Sequence, residues 1–392
     1  MSNTNARRRA ALAGSPALTD VDAVIVTDLN NVRYLTGFTG SNGAALVWVA
    51  EPADPDHTSP DPTSPDPTSP DLTSTDPTST DRISTDGRYL TQVAEQSADM
   101  RAIIARDCPS ALLRFVADRE PGARVAIEGH VVTVAAYEGL TELSSELGVQ
   151  LVPVVDAVER LRVAKDSNEV ELITSACALG DAALADLIAR GAISPGRTER
   201  QVARDLEWAM FALGADAVAF ETIVAAGAWS AVPHHRPTDA VLAAGDLVKI
   251  DFGAVVGGYH SDMTRTFVLG EPAAWQVEIY DIVAAAQQAG RDALAVGAEL
   301  AAIDGAARTV IADAGYGEYY VHGLGHGVGL QIHEAPGIGA AASGTLPDGA
   351  TVTVEPGIYL PGRGGVRIED TLVVTDGGAT SLTTTSRSLT VL

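Results

Sequence analysis

Five side chains that bind metal ions well lie in the second half of this chain: Asp251, Asp262, His326, Glu355 and Glu369. Their frames are VKIDFGA, YHSDMTRTF, HGLGHGVGLQIHE, TVEPGIYL and GVRIED. Four carboxylates and one imidazole on strand-like segments repel one another in a packed core unless positive charge lies between them. Two divalent cations would supply that charge, and such a set points to metal-assisted hydrolysis. The mostly oxygen donor set suits harder ions, manganese first, with cobalt, iron or zinc as alternatives. Two bridging carboxylates can hold two ions whose shared water is acidified to a hydroxide nucleophile. Histidines at the rim can then donate to a developing oxyanion or carry a proton to a leaving nitrogen.

The elements that must position these groups follow from local patterning. Asp251 ends the strand-forming run 247–250, Gly257-Gly258 makes a turn, and residues 259–268 read as a returning strand. Period two places Asp262, Thr264 and Thr266 on one face, so the hairpin predicts Asp251 and Asp262 across from each other. Two aspartates on a hairpin, taken alone, read as a solvated face. Glu355 follows the run 350–354 and precedes the turn signal Pro356-Gly357. Glu369 is expected within a strand over 366–374, where a buried glutamate is costly unless paired or metal-bound. Taken alone, it also reads as an exposed residue bridged to Arg367. Of eight histidines, His322, His326 and His333 fall within twelve residues, and His234-His235 form a further pair. The surrounding glycines would also suit a phosphate loop, but no following Lys-Ser/Thr or helix start supports one.

These frames, in this order, resemble the metallopeptidases of the pita-bread fold, the family (M24) of methionine aminopeptidase, aminopeptidase P and prolidase. The resemblance is strong over about 160–385 and weaker over 20–155. It implies that Asp251 binds one metal, that Asp262 and Glu369 bridge both, and that His326 with Glu355 completes the other. Glu355 would also accept a proton from the attacking water. His333 matches the family histidine that contacts the scissile carbonyl. His234, in the frame His-x-x-Pro, matches a substrate-pocket histidine, and His322 an additional pocket histidine of the proline-specific branch. Arg367 matches an arginine that orients a ligand carboxylate. His235 is given no role.

The amino-terminal frames YLTGFTGSNG (34–43) and TDGRY (85–89) resemble the leading domain of aminopeptidase P, prolidase and creatinase. Methionine aminopeptidase lacks that domain, and creatinase lacks the metal carboxylates. The resemblance therefore implies a two-metal exopeptidase acting on peptides with proline in second position, usually as a homodimer. A general aminopeptidase, or a binding protein that kept the fold and lost catalysis, are the alternatives. The implied fold is α/β (α+β): a creatinase-like N-terminal domain followed by a pita-bread catalytic domain with pseudo-twofold symmetry.

The chain has 392 residues, 46% hydrophobic and 20% charged, which suits two globular domains with real cores. A net charge of −25 argues against nucleic acid as a partner. Cys108 and Cys177 make no disulfide framework. Arg7-Arg8-Arg9 is not followed by a long apolar run, and no membrane span is expected; the expected location is cytoplasmic. The expected organisation is a flexible N-terminus over 1–19, the leading domain over 20–158 and the catalytic domain over 159–392. Within the leading domain, a Pro/Asp/Thr/Ser-rich segment over 52–82 repeats with period five and reads as a disordered insertion in a hairpin. Helices are expected near 166–190, and after the capping box Thr198-Glu199-Arg200-Gln201. A similar pair recurs at 275–296 and 300–315. An offset of 101 aligns Gly196 with Gly297 and Gly214 with Gly315, as two symmetric halves require.

Overall fold

The structure, a computed structural model, describes residues 2–49 and 80–392. The chain divides into two compact units, Met1–Arg162 and Val163–Leu392.

The first unit is built on a six-stranded sheet. Its order is Arg101–Ile104, Arg82–Thr85, Gly43–Trp48, Ala23–Val26, Arg124–Glu128 and Gln150–Val154. Gly43–Trp48 pairs antiparallel with both neighbours, and the remaining pairings are parallel. Ile25, Leu46, Leu112, Leu113, Val116 and Ile127 form the core between sheet and helices. The N-terminus departs from expectation. Ser2–Ala13 is a helix, not a flexible lead. Leu12 is buried, and Arg9 bonds Asp81 (2.8 Å), Asp99 (2.7 Å) and the Leu35 carbonyl (3.0 Å). A basic triplet that reads as solvated surface thus contains one arginine whose donors are used internally. The expected insertion 52–82 lies outside the described residues up to 79. Its expected end is too late, because Arg82 opens a strand and faces Leu46. The unit boundary also falls at 162/163 and not at 158/159. The helix Glu159–Arg162 stays with the first unit because Asn31 bonds both Glu159 (2.6 Å) and Arg162 (2.8 Å).

The second unit consists of two similar halves. In the first, helices Ser167–Ala189 and Glu199–Ala212 cover a sheet of Ile223–Ala226, Leu247–Phe252, Met263–Val268 and Thr390–Val391. In the second, helices Ala274–Asp292 and Leu300–Asp313 belong with Gly325–Gly327, Glu334–Ile338, Thr351–Val354, Asp370–Thr375 and Gly378–Ser381. Capping boxes open Ser167–Ala189 (Asp166 with Glu169) and Glu199–Ala212 (Thr198 with Gln201). The 101-residue offset is visible in atomic detail. The Gly196 N–H bonds the Leu242 carbonyl at 2.9 Å, and the Gly297 N–H bonds the Leu346 carbonyl at 2.8 Å. Both glycines have positive φ, 90° and 82°, which favours their lack of a side chain. Ser167–Ala189 is long and apolar enough to cross a membrane by composition, but it packs Ala183, Leu184 and Leu187 into the first half's core.

Two expectations about strands need correction. The pairing register sets Asp251 opposite Thr264 and Phe252 opposite Met263, so Asp262 is not directly across from Asp251. The returning strand is split into Tyr259–His260 and Met263–Val268. At the split, a Cβ on Gly253 would lie 1.8 Å from the Ser261 carbonyl oxygen, so only glycine permits this approach. Glu369, expected inside a continuous strand, sits at the gap between Gly364–Arg367 and Asp370–Thr375. Its N–H leaves the local ladder and bonds the Thr264 carbonyl at 3.1 Å, tying one half to the other.

Candidate active site

Asp251 lies on Leu247–Phe252, Asp262 just before Met263–Val268, and His326 at the centre of Gly325–Gly327. Glu355 follows Thr351–Val354, and Glu369 precedes Asp370–Thr375. Strand ends and breaks therefore aim carboxylates and an imidazole from both halves at one place. Asp262, His326 and Glu369 offer donor atoms within 4.8 Å of one another. His326 Nε2 lies 3.5 Å from Asp262 and 3.4 Å from Glu355. The His326 Nδ1–H donates to the Gly327 carbonyl (3.0 Å), which leaves Nε2 with its lone pair toward the carboxylates.

The electrostatics are those of a site short of positive charge. Burial, followed by Glu369, Asp251 and Glu355, pushes the Asp262 carboxyl well up. Burial, followed by Glu355 and Asp251, does the same to Glu369. Burial is also the first cause that raises Glu355, to about 7. It lowers His326 to about 4, keeping the ring neutral and able to ligate. Asp251 Oδ1 is buried with no hydrogen-bond partner, a state that is costly without a cation. The donor set and this orphaned oxygen fit divalent metal ions held by these five residues.

A cavity of about 280 Å³ opens over the cluster, the small end of the range for ligand sites. All five residues line it, together with His234 and His333, and so do Phe220, Glu221, Ile223, His235, Arg236 and Ile332. His333 packs its ring edge-on against His326, with centroids 4.5 Å apart. His322 and Arg367 are not among the lining residues. They act through a buried chain of bonds instead. Arg367 Nη2 donates to Asp251 Oδ2 (2.5 Å), Arg367 Nε to Thr264 Oγ1 (2.9 Å) and Arg367 Nη1 to Tyr359 Oη (3.0 Å). Tyr359 in turn donates to His322 Nε2 (2.8 Å), because the His322 Nδ1–H is spent on the Gly323 carbonyl (2.8 Å). Burial, with Arg367 next, lowers His322 to about 4, which keeps it an acceptor. Thr264 completes the chain by donating to Glu369 Oε2 at 2.6 Å.

Several residues in this site carry no signal of their own in the sequence. Lys249 is fully buried and donates to the Val232 (2.6 Å) and Pro233 (3.1 Å) carbonyls, just ahead of His234. Arg367 also reaches the Pro233 carbonyl (3.2 Å). Lys249 stands two positions before Asp251 on the same face, which was the available hint. His235, given no role from sequence, lines the cavity, stacks on Trp229 at 5.2 Å and bonds Glu199 at 2.8 Å.

Two family models match the chain. The model for metallopeptidase family M24 covers residues 171–376, over half of the chain. The chain belongs to metallopeptidase family M24. Ahead of it, residues 8–58 and 76–164 match the creatinase/prolidase N-terminal domain. Over 234 residues, 60% of its length, the chain is 45% identical to the Xaa-Pro dipeptidase of Pyrococcus furiosus, covering 67% of that protein. Two solved structures resemble the whole chain. The Xaa-Pro dipeptidase from Bacillus anthracis has a TM-score of 0.84 and 33% identity, covering 100% of this chain and 99% of that one. The X-Pro aminopeptidase from Thermotoga maritima has a TM-score of 0.80 and 31% identity, covering 95% and 98%. As an M24 metallopeptidase the protein is a hydrolase that works with divalent metal ions, and its two-part organisation is that of the prolidase-like members with this N-terminal domain.

Proposed function

We propose that this protein is a Xaa-Pro exopeptidase that uses two divalent cations, manganese first among them, held by Asp251, Asp262, His326, Glu355 and Glu369. The observation that carries the reading is the buried, uncompensated carboxylate cluster against a neutral His326 at the floor of a small cavity. When bound, the cations acidify water and polarise the scissile carbonyl. The protein supplies the rest. Glu355, raised to about 7, is matched to accept a proton from the attacking water near neutral pH. His333 and His234 line the cavity as donors to the developing oxyanion and as a proton source for the leaving imino nitrogen. Burial, with Arg367 next, lowers His234, which eases proton release. Arg367, fixed by Tyr359 and His322, orients Asp251.

Relatives of nearly equal likeness carry the names dipeptidase and aminopeptidase, so the test uses both substrates. Hydrolysis of Ala-Pro and Ala-Pro-Ala is measured on metal-stripped protein and again after manganese is restored. Cleavage only with manganese supports the reading. Cleavage of Ala-Pro alone assigns a dipeptidase, and cleavage of both assigns an aminopeptidase. No cleavage of either with manganese bound overturns the proposal.

A further inference from the structure

The sheet of the first unit has an edge that the proposed function leaves unused. Ala23–Val26, Arg124–Glu128 and Gln150–Val154 run parallel and side by side. Their carboxyl ends open on one edge, where successive loops bring side chains together. The loops there are tightly held. Glu128 is buried and accepts from the Thr27 N–H (2.5 Å), the Asp28 N–H (2.8 Å) and Asn31 Nδ2 (2.7 Å). The Val131 (3.1 Å) and Val132 (3.0 Å) N–H groups turn back to the Glu128 carbonyl, and the Gly129 N–H bonds the Val154 carbonyl (2.8 Å). This turn carries His130. The next loop carries Asp156, and Glu159 opens the short helix that ends the unit. His130 Nε2 stands 3.0 Å from Glu159 Oε1 and 3.8 Å from Asp156 Oδ1. One donor atom from each of the three lies within 4.8 Å of the others.

An ion pair of His130 with Glu159 accounts for only part of this arrangement. Glu159 Oε1 already accepts from Asn31 Nδ2 (2.6 Å). Glu159 Oε2 is buried with no hydrogen-bond partner, a costly state that a cation relieves. Ligands about 2.1 Å from a tetrahedral ion stand roughly 3.4 Å from one another, between the two separations seen. One imidazole with two carboxylates suits zinc and similar borderline ions, whereas magnesium and calcium take oxygen donors. The side chains of Asp156 and His130 are 53% and 28% exposed, so ions reach the group from solvent. We infer that His130, Asp156 and Glu159 form a zinc-class cation site at the carboxyl edge of the first unit's sheet. The ion ties the turn after Arg124–Glu128 to the helix Glu159–Arg162, with water in its open position. This site lies within the first unit and shares no residue with the five proposed ligands of the second.

The test uses the full chain, loaded with manganese and then dialysed against about 50 µM zinc. Manganese and zinc are counted together by elemental analysis, so exchange of one ion for the other at the five-residue cluster leaves the sum unchanged. Wild type is compared with His130→Gln and with Asp156→Gly. The second variant suits its position, because Asp156 has φ 57°, a conformation that glycine adopts freely. Circular dichroism checks that both variants are folded. Wild type is expected to carry one metal ion per chain more than either variant. Equal totals in wild type and in either folded variant overturn the inference and leave His130 as the ion-pair partner of Glu159. The count does not depend on peptide hydrolysis, so the exopeptidase reading and this site can fail separately.

Discussion

Glu369 and Asp370 are adjacent in the chain, equally buried, and electrostatically opposite. Asp370 accepts from Arg265 (2.8 Å), Gln287 (2.6 Å), Thr383 (2.7 Å) and Arg387. Burial pushes its carboxyl up, but Arg265 and Arg387 outweigh burial and hold it below the ordinary range. Glu369 accepts from Thr264, and burial with Glu355 and Asp251 drives it well above that range. The two side chains meet different surroundings, Asp370 among Arg265 and Arg387 and Glu369 beside Glu355 and Asp251. A buried carboxylate whose partners are arginines is architecture. One whose neighbours are other carboxylates is incomplete until a cation arrives.

This contrast can be broken by mutation. The largest effect is expected at the incomplete side. Glu369→Ala or Asp262→Ala should lower activity at least about 1,000-fold. The bound metal, measured by elemental analysis, should fall with it, while circular dichroism stays that of a folded protein. Full activity in either variant would sink the assignment. At Asp370 the order reverses. Asp370→Ala strands Arg265, which is 2% exposed, and should cost about 3–5 kcal/mol in denaturant unfolding. If Asp370→Ala is as stable as Glu369→Ala, the distinction between the two fails.

The same contrast has a pH signature in metal-stripped protein. The folded-state pKa of Glu355 is raised, to about 7 from an ordinary 4.5, and those of Asp262 and Glu369 are raised too. Groups raised in the folded state contribute stability that is complete below the ordinary value and is lost as pH rises through the folded value. The buried neutral His322 and His326, lowered to about 4, add stability as pH rises toward their ordinary value of 6.5. The carboxylate effect is therefore read above that value: the melting temperature of the metal-free protein should fall between about pH 6.5 and 8, and saturating manganese should flatten the curve. Asp370, lowered in the folded state, loses its contribution only at acid pH and does not affect this window. A flat metal-free profile would count against the crowded-carboxylate account. A smaller effect is expected at Lys249, which sits behind His234. Lys249→Met removes the donor to two carbonyls and should lower kcat/KM about tenfold by loosening His234. Metal content should be unchanged, which separates positioning from ligation.

Much of this site was legible because metal chemistry restricts residue types. The frames of Asp251, Asp262, His326, Glu355 and Glu369 single out five residues that the fold brings to one cavity, and Asp166 and Thr198 are found by capping chemistry. What was not legible depends on contacts between distant segments. The gap that frees Glu369 exists because its N–H crosses to Thr264, and no local alternation signals that. The split before Asp262 needs the contact of Gly253 with Ser261. Lys249 and Arg9 look like surface cations in the sequence, yet each is buried by carbonyls or carboxylates supplied from elsewhere. Their burial is a tertiary event, and charge alone gives no warning of it.

The span between the two halves of the site also has a consequence in time. Arg367 meets Asp251 across 116 residues, and Glu369 meets Thr264 across 105. A ribosome adding about 5–20 residues per second takes on the order of 5–20 seconds to cover that distance. Throughout that interval the nascent chain displays Asp251 and Asp262 without the residues that complete their cage. If the five residues are the ligands proposed above, metallation is a late step of biogenesis, and translation products that stop short of Glu369 emerge without the full set.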